Sequence, residues 1–543
     1  MIDPQLLEGL RPYIPPLNER IAAGYAKTQL DTVDQDLHEV LMSARKGFPE
    51  GLVYEGCERV SPQDTFKFLT TPRSTSVTRM QFDLSRTDVF LTKYKFSFEG
   101  KRVKDQYLFL PFVNDVSQMY VRNSLFYIKP VVADALMSVE GDYIFINVTS
   151  TRGNVYKKRH AILVNGIPQI NNIIHAMIHH ELSKLHRSFK NKAVKLRILG
   201  VAHYLFAKYG VEETFRRFED CDVVIGADNI NVTDYPRDSW TIFESTGLKP
   251  DGHPDKFYQS HPIRIAVPND KVTPHVISMM TALFFVLDNY PVNLTISDVK
   301  DPKWWLKTMG VIIFGTDMSE IDCFEKAKEH FQSMDGYFDS IAKEEAISRQ
   351  IFVSDMYQFI HYISQHFSTL IEQESRKGAN CMYGKRLTVS RYILAEIYAN
   401  IFRAINFSKK RSGSLTMNDI EKMLSRAFRL RQVFDINSGL QYVTTIQSPS
   451  DCRMFKITCS VIPQQKTQPK SNDVSKAALR DPKRLLDISH VEVGAITHLP
   501  KSHPIGDAIV SPFAKTTSNG TLLPNPAFKD LIKRTNYYIQ LDY

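Results

Sequence analysis

Short alternating runs of apolar and polar residues predict a strand-rich region in the first third of the chain. The segment "SVTRMQFDLSRTDVFLTKYKFSF" alternates, and "QYLFLPFV", "LFYIKPVV" and "GDYIFINVTS" are short runs typical of strands. Residues 51–170 are therefore expected to form a β-rich domain. Residues 1–50 have helical apolar spacing, as in "TVDQDLHEVLMSARKG", and predict a helical N-terminal segment.

The pattern changes after residue 170. The stretch "NNIIHAMIHHELSKLH" has isoleucines and leucines at helical spacing, which predicts a helix over residues 171–186. Helix-like and strand-like segments then follow one another, as in "FRRFEDCDVVIGADNINV" and "FYQSHPIRIAVP". Residues 171–300 are therefore predicted to form a mixed α/β domain.

Helical patterns dominate residues 301–438, which predict a helical domain. Asp301 can cap a helix whose first residue is Pro302, a position that tolerates proline because its N–H is not needed. Thr416, followed three residues later by Asp419, is a variant of the capping box and predicts another helix start.

The C-terminal part of the chain contains fewer regular patterns. Residues 439–464 predict a β-hairpin, and the polar residues 465–484 predict a linker or mobile loop. Residues 485–543 contain five scattered prolines and predict an extended C-terminal arm that docks onto other protein subunits. The predicted fold class is α+β, with an N-terminal β-rich domain, a mixed α/β centre, a helical domain and this arm.

Composition indicates a soluble chain of several domains. Of its 543 residues 43% are hydrophobic and 23% charged, and the net charge of +9 suits an anionic partner without requiring one. The six cysteines form no CxxC pair, so neither a zinc ribbon nor a disulfide framework is expected. The N-terminus does not resemble a signal peptide, and the longest apolar run, "VISMMTALFFVL", is too short for a bilayer and predicts a buried helix. No cofactor and no membrane partner are predicted.

Three basic clusters favour nucleic acid as a partner. The segment "SKLHRSFKNKAVKLR" has six cations and no acid, so they repel one another unless an anion or solvent relieves them. A phosphate backbone would do so, and Phe189 could stack on a base; a solvated helix end is the alternative. The predicted nucleic-acid-binding residues are Lys184, Arg187, Phe189, Lys190, Lys192, Lys195, Arg197, Lys157, Lys158, Arg159, Lys409, Lys410 and Arg411.

The histidine-rich stretch from 171 to 186 does not match a metalloprotease motif. His175 and His179 are four residues apart and could share a metal, but Ala176 occupies the position of the catalytic glutamate. Glu181 does follow His180, yet Lys184 stands where the second histidine would be needed. We therefore expect no metal at this stretch, whose histidines would border a packed face or contact phosphate or protein.

Three aspartates give the best catalytic candidate. Asp220, Asp222 and Asp228 bracket a predicted strand, and aspartates at strand ends can hold two divalent ions for phosphoryl transfer. The alternative is structural, because aspartate and asparagine also favour turns, as "ADNIN" suggests. An enzyme is the less favoured interpretation, and no catalytic residue is assigned.

Three stretches resemble segments of uncharacterised proteins encoded by tailed bacteriophages. They are "YLFLPFVNDVSQMYVRNSLFYIKPVVADALMSV", "MYGKRLTVSRYILAEIYANIFRAI" and "VEVGAITHLPKSHPIGDAIVSPF". The resemblance contains no catalytic motif and transfers no functional residue. It implies only a phage context, in the host cytoplasm or in a virion.

The sequence therefore supports one leading hypothesis and two alternatives. The leading hypothesis is a non-catalytic, nucleic-acid-binding phage protein that acts in transcription or replication as a subunit of a larger complex. The first alternative is a virion structural protein, whose arm would bind neighbouring subunits. The second is a metal-dependent nuclease or polymerase-like enzyme that uses the three aspartates.

Overall fold

The fold is known from a computed structural model, and most of the chain can be described. The described residues are 8–9, 11–22, 25–45, 48–70, 86, 88–121, 123–128, 130–133, 135–148, 152–178, 199–247, 261–289, 294–314, 319–338, 340–375, 381–389, 415–428, 443–445, 456–459, 487, 489–494, 506–518, 520–527 and 530.

Helices and antiparallel sheets together make this an α+β protein, as predicted. The helices are α1 (Glu19–Ala22), α2 (Tyr25–Leu30), α3 (Val33–Ala44), α4 (Pro62–Thr70), α5 (Val201–Tyr209), α6 (Val211–Glu219), α7 (Pro274–Asn289), α8 (Ile296–Lys300), α9 (Pro302–Phe314), α10 (Glu320–Met334), α11 (Ser340–Ser348), α12 (Met356–Gln365), α13 (Phe367–Ser375), α14 (Met417–Ala427) and α15 (Ser489–Val493). Among the described helices, none combines the length and apolar character needed to cross a membrane.

The strands are distributed over several sheets. They are β1 (Leu52–Arg59), β2 (Val89–Phe98), β3 (Lys101–Arg102), β4 (Gln106–Pro111), β5 (Gln118–Val121), β6 (Ser124–Ile128), β7 (Val131–Ala133), β8 (Met137–Glu140), β9 (Tyr143–Asn147), β10 (Arg152–Val164), β11 (Ile167–Ile178), β12 (Val224–Gly226), β13 (Trp240–Ser245), β14 (Arg264–Pro268), β15 (Arg386–Thr388), β16 (Val443–Thr445), β17 (Lys456–Cys459), β18 (Gly506–Ile509), β19 (Lys515–Thr516) and β20 (Leu522–Leu523).

The chain divides into two compact units. Unit 1 comprises Met1–Ala135, Asp339–Glu345 and Lys377–Tyr543, and unit 2 comprises Leu136–Phe338 and Ala346–Arg376. The finer segment boundaries derived from the sequence stay predictions.

Unit 1 has its main core beneath an antiparallel sheet centred on β2. This strand pairs with β1 on one side and with β3 and β4 on the other. Along its second half buried and half-buried side chains alternate, and Tyr94, Phe96 and Phe98 are buried. Helices α3 and α14 supply the apolar side chains that cover these rings. The alternation predicted from the sequence is thereby confirmed for β2, because a strand buries every second side chain, whereas residues 76–85 of the same stretch lie outside the described residues.

The described part of the C-terminal arm packs within unit 1. Val493, Val510, Ala514 and Leu522 belong to one apolar cluster with residues from the N-terminal helices and from β7 and β15. The side-chain amide of Asn18 donates hydrogen bonds to Ala514 O and Thr516 Oγ1, both at 2.8 Å. The described elements of this arm are short, and they share a core with other parts of unit 1, whereas docking onto other subunits stays a prediction.

A glycine allows the arm to approach α2 closely. Gly520 has φ +87°, and a Cβ there would lie 1.6 Å from Tyr25 Oη. Both the backbone conformation and the missing side chain are therefore required at this position.

Unit 1 also buries an ion pair. Arg386 in β15 and Glu345 in α11 are 2% and 1% exposed, and Arg386 Nη1 lies 3.1 Å from Glu345 Oε2. The two charged groups are close enough to form an ion pair, but their relative orientation does not allow a hydrogen bond between these two atoms. Two buried charges of opposite sign compensate each other, because burying either charge alone would cost much free energy of desolvation.

Unit 2 is built on a seven-stranded sheet. The strand order is β12-β14-β13-β10-β9-β8, with β11 paired to β10 at the remaining edge. Helix α7 packs against β10, β11 and β13, and the ring of Phe285 contacts His160 and His175 edge-on. The apolar run that the sequence assigned to a buried helix is this helix.

The prediction of a helix over residues 171–186 is wrong for the part that the structure describes. Residues 171–178 belong to β11, which pairs with β10 from Val164↔Ile167 to Gly153↔Ile178. Asn165 and Gly166, with φ 52° and 78°, form the two-residue turn that joins them, a geometry typical of Asn-Gly hairpins. Apolar and polar residues do not alternate along this strand, because Ile173 and Ile174 lie on opposite faces of the sheet and are both buried.

The sequence of residues 439–464 predicts a β-hairpin or a pair of strands, and the structure has two strands there that do not pair with each other. Strands β16 and β17 do form there, but β16 pairs with β6, whereas β17 pairs with β18 and β7. Strand existence follows from local composition, but strand partners are set by the tertiary fold.

Both predicted helix starts in the helical region are confirmed. The backbone N–H of Lys303 donates to Asp301 Oδ1 at 2.9 Å, and α9 begins at Pro302. At the start of α14, Thr416 and Asp419 form the reciprocal bonds of a capping box. Thr295 and Asp298 form a second one at the start of α8.

Candidate functional site

Strand β10 carries the one predicted basic cluster that lies among the described residues. Lys157, Lys158 and Arg159 are all exposed. Because successive strand residues face opposite sides of a sheet, Lys157 and Arg159 share one face and Lys158 occupies the other. Lys157 Nζ donates to Ser368 Oγ at 2.6 Å. Partial desolvation of Lys158, which pairs with Ile173 across the strands, lowers its pKa. The three cations therefore do not form one patch.

The other predicted nucleic-acid-binding residues lie outside the described residues. They are Lys184, Arg187, Phe189, Lys190, Lys192, Lys195, Arg197, Lys409, Lys410 and Arg411. The same holds for His179, His180, Glu181 and His186 of the histidine-rich stretch. The role of these residues in nucleic-acid binding stays a prediction.

The three aspartates proposed as metal ligands are each paired with a cation at the surface. Asp220 binds Lys271 Nζ at 2.6 Å, Asp222 binds Arg216 Nε at 3.1 Å, and Asp228 lies 4.0 Å from Arg264 Nη1. Asp220 also ends helix α6 in a left-handed conformation, φ 49°. Within the described part of the chain they do not converge as a metal-ligand group.

A different set of ionisable side chains does converge, inside unit 2. Among the described residues, Glu219, His275 and His361 are the one group whose ligand atoms all lie within 4.8 Å of one another. Their side chains are 4%, 9% and 9% exposed. Such burial separates this group from the surface ion pairs of the aspartates.

Three helices bring these side chains together. Glu219 is the last residue of α6, His275 lies in the first turn of α7, and His361 lies on the buried face of α12. The amphipathic α6 also buries Phe215. The ring of Phe218 lies 4.7 Å from that of His361, tilted by 37°, and places an apolar group beside the cluster.

Both histidines contact the same carboxylate oxygen. His275 Nδ1 lies 2.8 Å and His361 Nε2 2.7 Å from Glu219 Oε1. The far nitrogen of His275, Nε2, lies 3.0 Å from Ser364 Oγ. Because an ionised carboxylate only accepts hydrogen bonds, both imidazoles donate to it when no metal intervenes.

Electrostatics keeps this group in a defined charge state. Burial raises the pKa of Glu219, but hydrogen bonds from His275 and His361 outweigh it and bring the pKa to about 2. Burial lowers the pKa of His361 in spite of its bond to Glu219. At neutral pH the cluster therefore contains a carboxylate and a neutral His361. The carboxylate stands at a helix C-terminus, where the helix dipole disfavours negative charge, so the imidazoles are needed to hold it.

The donor set is the one that divalent transition metals use. Two imidazole nitrogens and one carboxylate oxygen can bind such an ion on one face and leave other coordination positions open. The same three side chains can also act as a hydrogen-bonded link between helices. The small exposed area leaves little surface on which a nucleotide could reach them.

Sequence reasoning missed this group because nothing local signals it. Glu219 is 56 residues from His275 and 142 from His361. His275 and His361 are isolated histidines in apolar helices, a context in which a packed histidine is the ordinary expectation.

A second buried network links the sheet of unit 2 to α7. His160 Nε2 lies 3.1 Å from Asp288 Oδ2, and Ser245 Oγ donates to the other oxygen of that carboxylate. All three residues are buried.

Further along α5, the ring of His203 accepts from the backbone N–H of Gly200 at 2.9 Å and donates to Ala282 O at 2.6 Å. Burial brings the pKa values of His203 and His330 to about 4, and burial also lowers that of His175.

The comparison with protein families gives one match. A family model described as "Non-virion RNA polymerase subunit" matches residues 15–536, which include most of both units. No curated protein matches the chain. This match supports the phage context expected from the three stretches of sequence. The prediction of an uncharacterised family is corrected, because the family description names an RNA polymerase subunit.

Proposed function

The chain belongs to the non-virion RNA polymerase subunit family, and from that premise we propose that it is a non-catalytic subunit through which the polymerase contacts nucleic acid. The single observation that carries the proposal is the family match over residues 15–536. A subunit of such an enzyme works beside DNA and RNA, and the basic clusters supply cations that a phosphate backbone would neutralise. The proposed compartment is the host cytoplasm, with other polymerase subunits as protein partners.

The described carboxylates support a non-catalytic role. Asp220, Asp222 and Asp228 are each paired with a lysine or arginine, which competes with any metal for the same oxygens. Glu219 is buried with its histidines and has little contact with solvent. Phosphoryl transfer needs metal-bound carboxylates that the substrate can reach, and these two arrangements do not offer them. The virion alternative is less favoured, because the family description names a polymerase that is not part of the virion.

The geometry of β10 sharpens the proposal. Lys157 and Arg159 lie on one face of the sheet, whereas Lys158 lies on the other. A phosphate backbone that follows this strand can use only one of these faces. We propose that it follows the face of Lys157 and Arg159, because two cations point to that side.

The test measures the salt dependence of nucleic-acid binding by the polymerase assembled with wild-type or variant subunit. Each lost phosphate contact reduces the log–log slope of affinity against salt by about 0.7–0.9. The double variants Lys190→Ala/Lys192→Ala and Lys157→Ala/Arg159→Ala are each expected to reduce the slope by roughly one to two. Lys158→Ala should leave it unchanged. The double variant Lys101→Ala/Lys104→Ala, which alters two lysines outside the predicted clusters, is the matched control.

Two further measurements complete the test. Phe189→Ala should weaken single-strand binding more than duplex binding, since a stacked base contributes about 1–3 kcal/mol. The triple variant Asp220→Asn/Asp222→Asn/Asp228→Asn should keep full nucleotide incorporation. Loss of incorporation by that variant would contradict the non-catalytic role. Unchanged salt slopes in both basic double variants would contradict the nucleic-acid contact.

A further inference from the structure

We propose that Glu219, His275 and His361 form a binding site for one divalent transition-metal ion that fastens three helices of unit 2 to one another. The site would be structural, and it is independent of the proposed contact with nucleic acid. The ion would be bound by Glu219 Oε1, His275 Nδ1 and His361 Nε2, which all lie within 4.8 Å of one another.

The distances between these atoms suit a shared ion. Transition metals bind imidazole nitrogen and carboxylate oxygen at about 2.0–2.2 Å, so neighbouring ligands of one ion stand about 3 Å apart. The two N–O separations, 2.7 and 2.8 Å, would open only slightly to admit it. The imidazole rings of His275 and His361 meet at 82° with centroids 5.0 Å apart, so they approach the carboxylate from two directions.

The chemistry of the donors selects the class of ion. Calcium and magnesium prefer sites made of oxygen ligands, whereas imidazole suits zinc, iron, cobalt and nickel. A set of two imidazoles and one carboxylate therefore favours a first-row transition metal. Solvent would have to supply any further ligand, since the described residues add none within this group.

The negative charge of the buried Glu219 carboxylate is a second reason to expect a bound cation. The Glu219 carboxylate is 4% exposed, and among the described residues its ion-pair partners are these two histidines alone. A buried carboxylate is costly unless a positive charge or a metal compensates it. Its position at the end of α6 adds to this cost, because the exposed carbonyls of a helix C-terminus are also negative.

The surroundings resemble the outer shell of a metal site. The far nitrogen of His275 contacts Ser364 Oγ at 3.0 Å, which fixes the ring and directs Nδ1 at the carboxylate. The ring of Phe218 lies 4.7 Å from that of His361 and adds an apolar neighbour to the site. Outer-shell bonds and apolar walls of this kind orient ligands and strengthen metal binding.

The experiment uses the full-length chain, stripped of metal with a chelator and then titrated with Zn²⁺ and with Co²⁺. Metal content per chain is measured by mass spectrometry of the elements, Co²⁺ coordination by its visible absorption, and stability by thermal unfolding. The wild-type chain is expected to bind one ion and to gain thermal stability, because a ligand that binds only the folded state stabilises it.

Variants separate a metal site from a hydrogen-bonded link. Glu219→Gln keeps an oxygen that accepts from both histidines but is a poor metal ligand. Because loss of an outer-shell partner alone weakens metal binding by about 10–100-fold, Glu219→Gln and His361→Gln should weaken it at least as much. Asp220→Asn is the matched control, since it removes a neighbouring carboxylate that is exposed and paired with Lys271.

Three results would overturn the proposal. One is a wild-type chain that binds neither ion. Another is a Glu219→Gln variant that binds as tightly as the Asp220→Asn control. The third is loss of the bound ion in a His179→Asn/His180→Asn double variant, which would assign the metal to the histidine-rich stretch instead. Retention in this double variant and in Asp220→Asn, with loss in Glu219→Gln, supports the site.

Discussion

Unit 1 buries an arginine beside a glutamate, whereas unit 2 buries its carboxylates beside histidines. In unit 1 the pair is Arg386 and Glu345, 2% and 1% exposed. In unit 2 Glu219 is held by His275 and His361, and Asp288 by His160. A guanidinium stays protonated at any pH at which a protein folds, but an imidazole changes charge near neutrality. Unit 1 therefore contains a fixed pair, and unit 2 contains partners that protons and metals can alter.

The largest expected effect is acid destabilisation of unit 2. Burial brings the folded-state pKa of His203 and His330 to about 4, below the usual 6.5. Below pH 6.5 these histidines are therefore protonated in the unfolded chain, whereas in the folded unit they stay neutral until about pH 4. The free energy of unfolding should fall as pH drops through this window, by about 1.4 kcal/mol per pH unit for each histidine. Glu219, with its pKa lowered to about 2, adds a further loss between about pH 4.5 and 2.

Tryptophan fluorescence measures this effect in unit 2 alone. The three tryptophans of the chain, Trp240, Trp304 and Trp305, all belong to unit 2. Urea unfolding followed by their emission should shift to lower urea between pH 7 and pH 5. Replacement of His330 by Phe should reduce the shift. A midpoint that does not change over this range would contradict the titratable character assigned to unit 2.

The next largest effect is expected in unit 1 from Arg386→Met. It leaves the buried Glu345 carboxylate without its arginine, a change that typically costs 3–5 kcal/mol, about a third of the stability of an ordinary domain. Hydrogen exchange of unit 1 peptides in increasing urea measures it. Arg102→Met is the control, since Arg102 is exposed and pairs with Asp105 at the surface; it should change stability by less than about 0.5 kcal/mol.

The double variant Arg386→Met/Glu345→Leu tests whether the buried charges cause the loss of stability. Replacing both members of a buried pair by apolar residues is often neutral or stabilising, so the double variant should recover much of the loss. Equal loss in the single and double variants would show that lost packing, rather than loss of the positive charge beside Glu345, causes it.

A smaller effect is expected for Asp288→Ala in unit 2. The substitution removes the acceptor of both His160 and Ser245, which lie in the buried interior. Leaving buried polar groups without this acceptor should cost about 1–3 kcal/mol, measured by tryptophan emission in urea. Asp238→Ala, at an exposed position of the same unit, is the control. A stability equal to that of the control would contradict the role given to this network.

The smallest effect concerns the two capping boxes, one in each unit. Thr416→Ala and Thr295→Ala remove the same reciprocal bonds at the starts of α14 and α8. Each should cost about 1 kcal/mol, independent of pH between 5 and 7. The Thr416 variant should cost more, because α14 buries Ile420, Met423 and Leu424 in the core of unit 1. Equal hydrogen-exchange changes at both sites would show that this packing does not matter.

Local features of the fold could be predicted from the sequence. The alternation of β2, the buried α7 and the caps at Asp301 and Thr416 depend on residues within a few positions of one another. Such signals persist because secondary structure, caps and burial pattern agree with one another in these segments.

Long-range features could not be predicted. Strand β11 has apolar side chains on both faces, so its period resembled that of a helix. Strands β16 and β17 looked like a hairpin because they are neighbours in sequence, but their partners lie elsewhere in unit 1. Pairing is decided by tertiary contacts that composition does not encode locally.

The candidate site was missed for the same reason. Glu219 and His361 come together across 142 residues, and each is unremarkable in its own helix. The sequence directed attention to aspartates and histidines that stand close together along the chain. Proximity in sequence is a weak guide to a metal site, because ligands are collected by the fold.

The bonds between Asn18 and the C-terminal arm determine the order in which the chain can fold during synthesis. They join residues separated by 496 and 498 positions, so the ribosome must reach Thr516 before these contacts can all form. Unit 2 lies within residues 136–376 and can complete its sheet earlier. Since domains generally fold as units while the chain emerges, the N-terminal residues Ile21 and Tyr25 should stay without their apolar cover until Ala514 and Leu522 arrive. A nascent chain halted after residue 480 should therefore hold a folded unit 2 and a protease-sensitive N-terminal region.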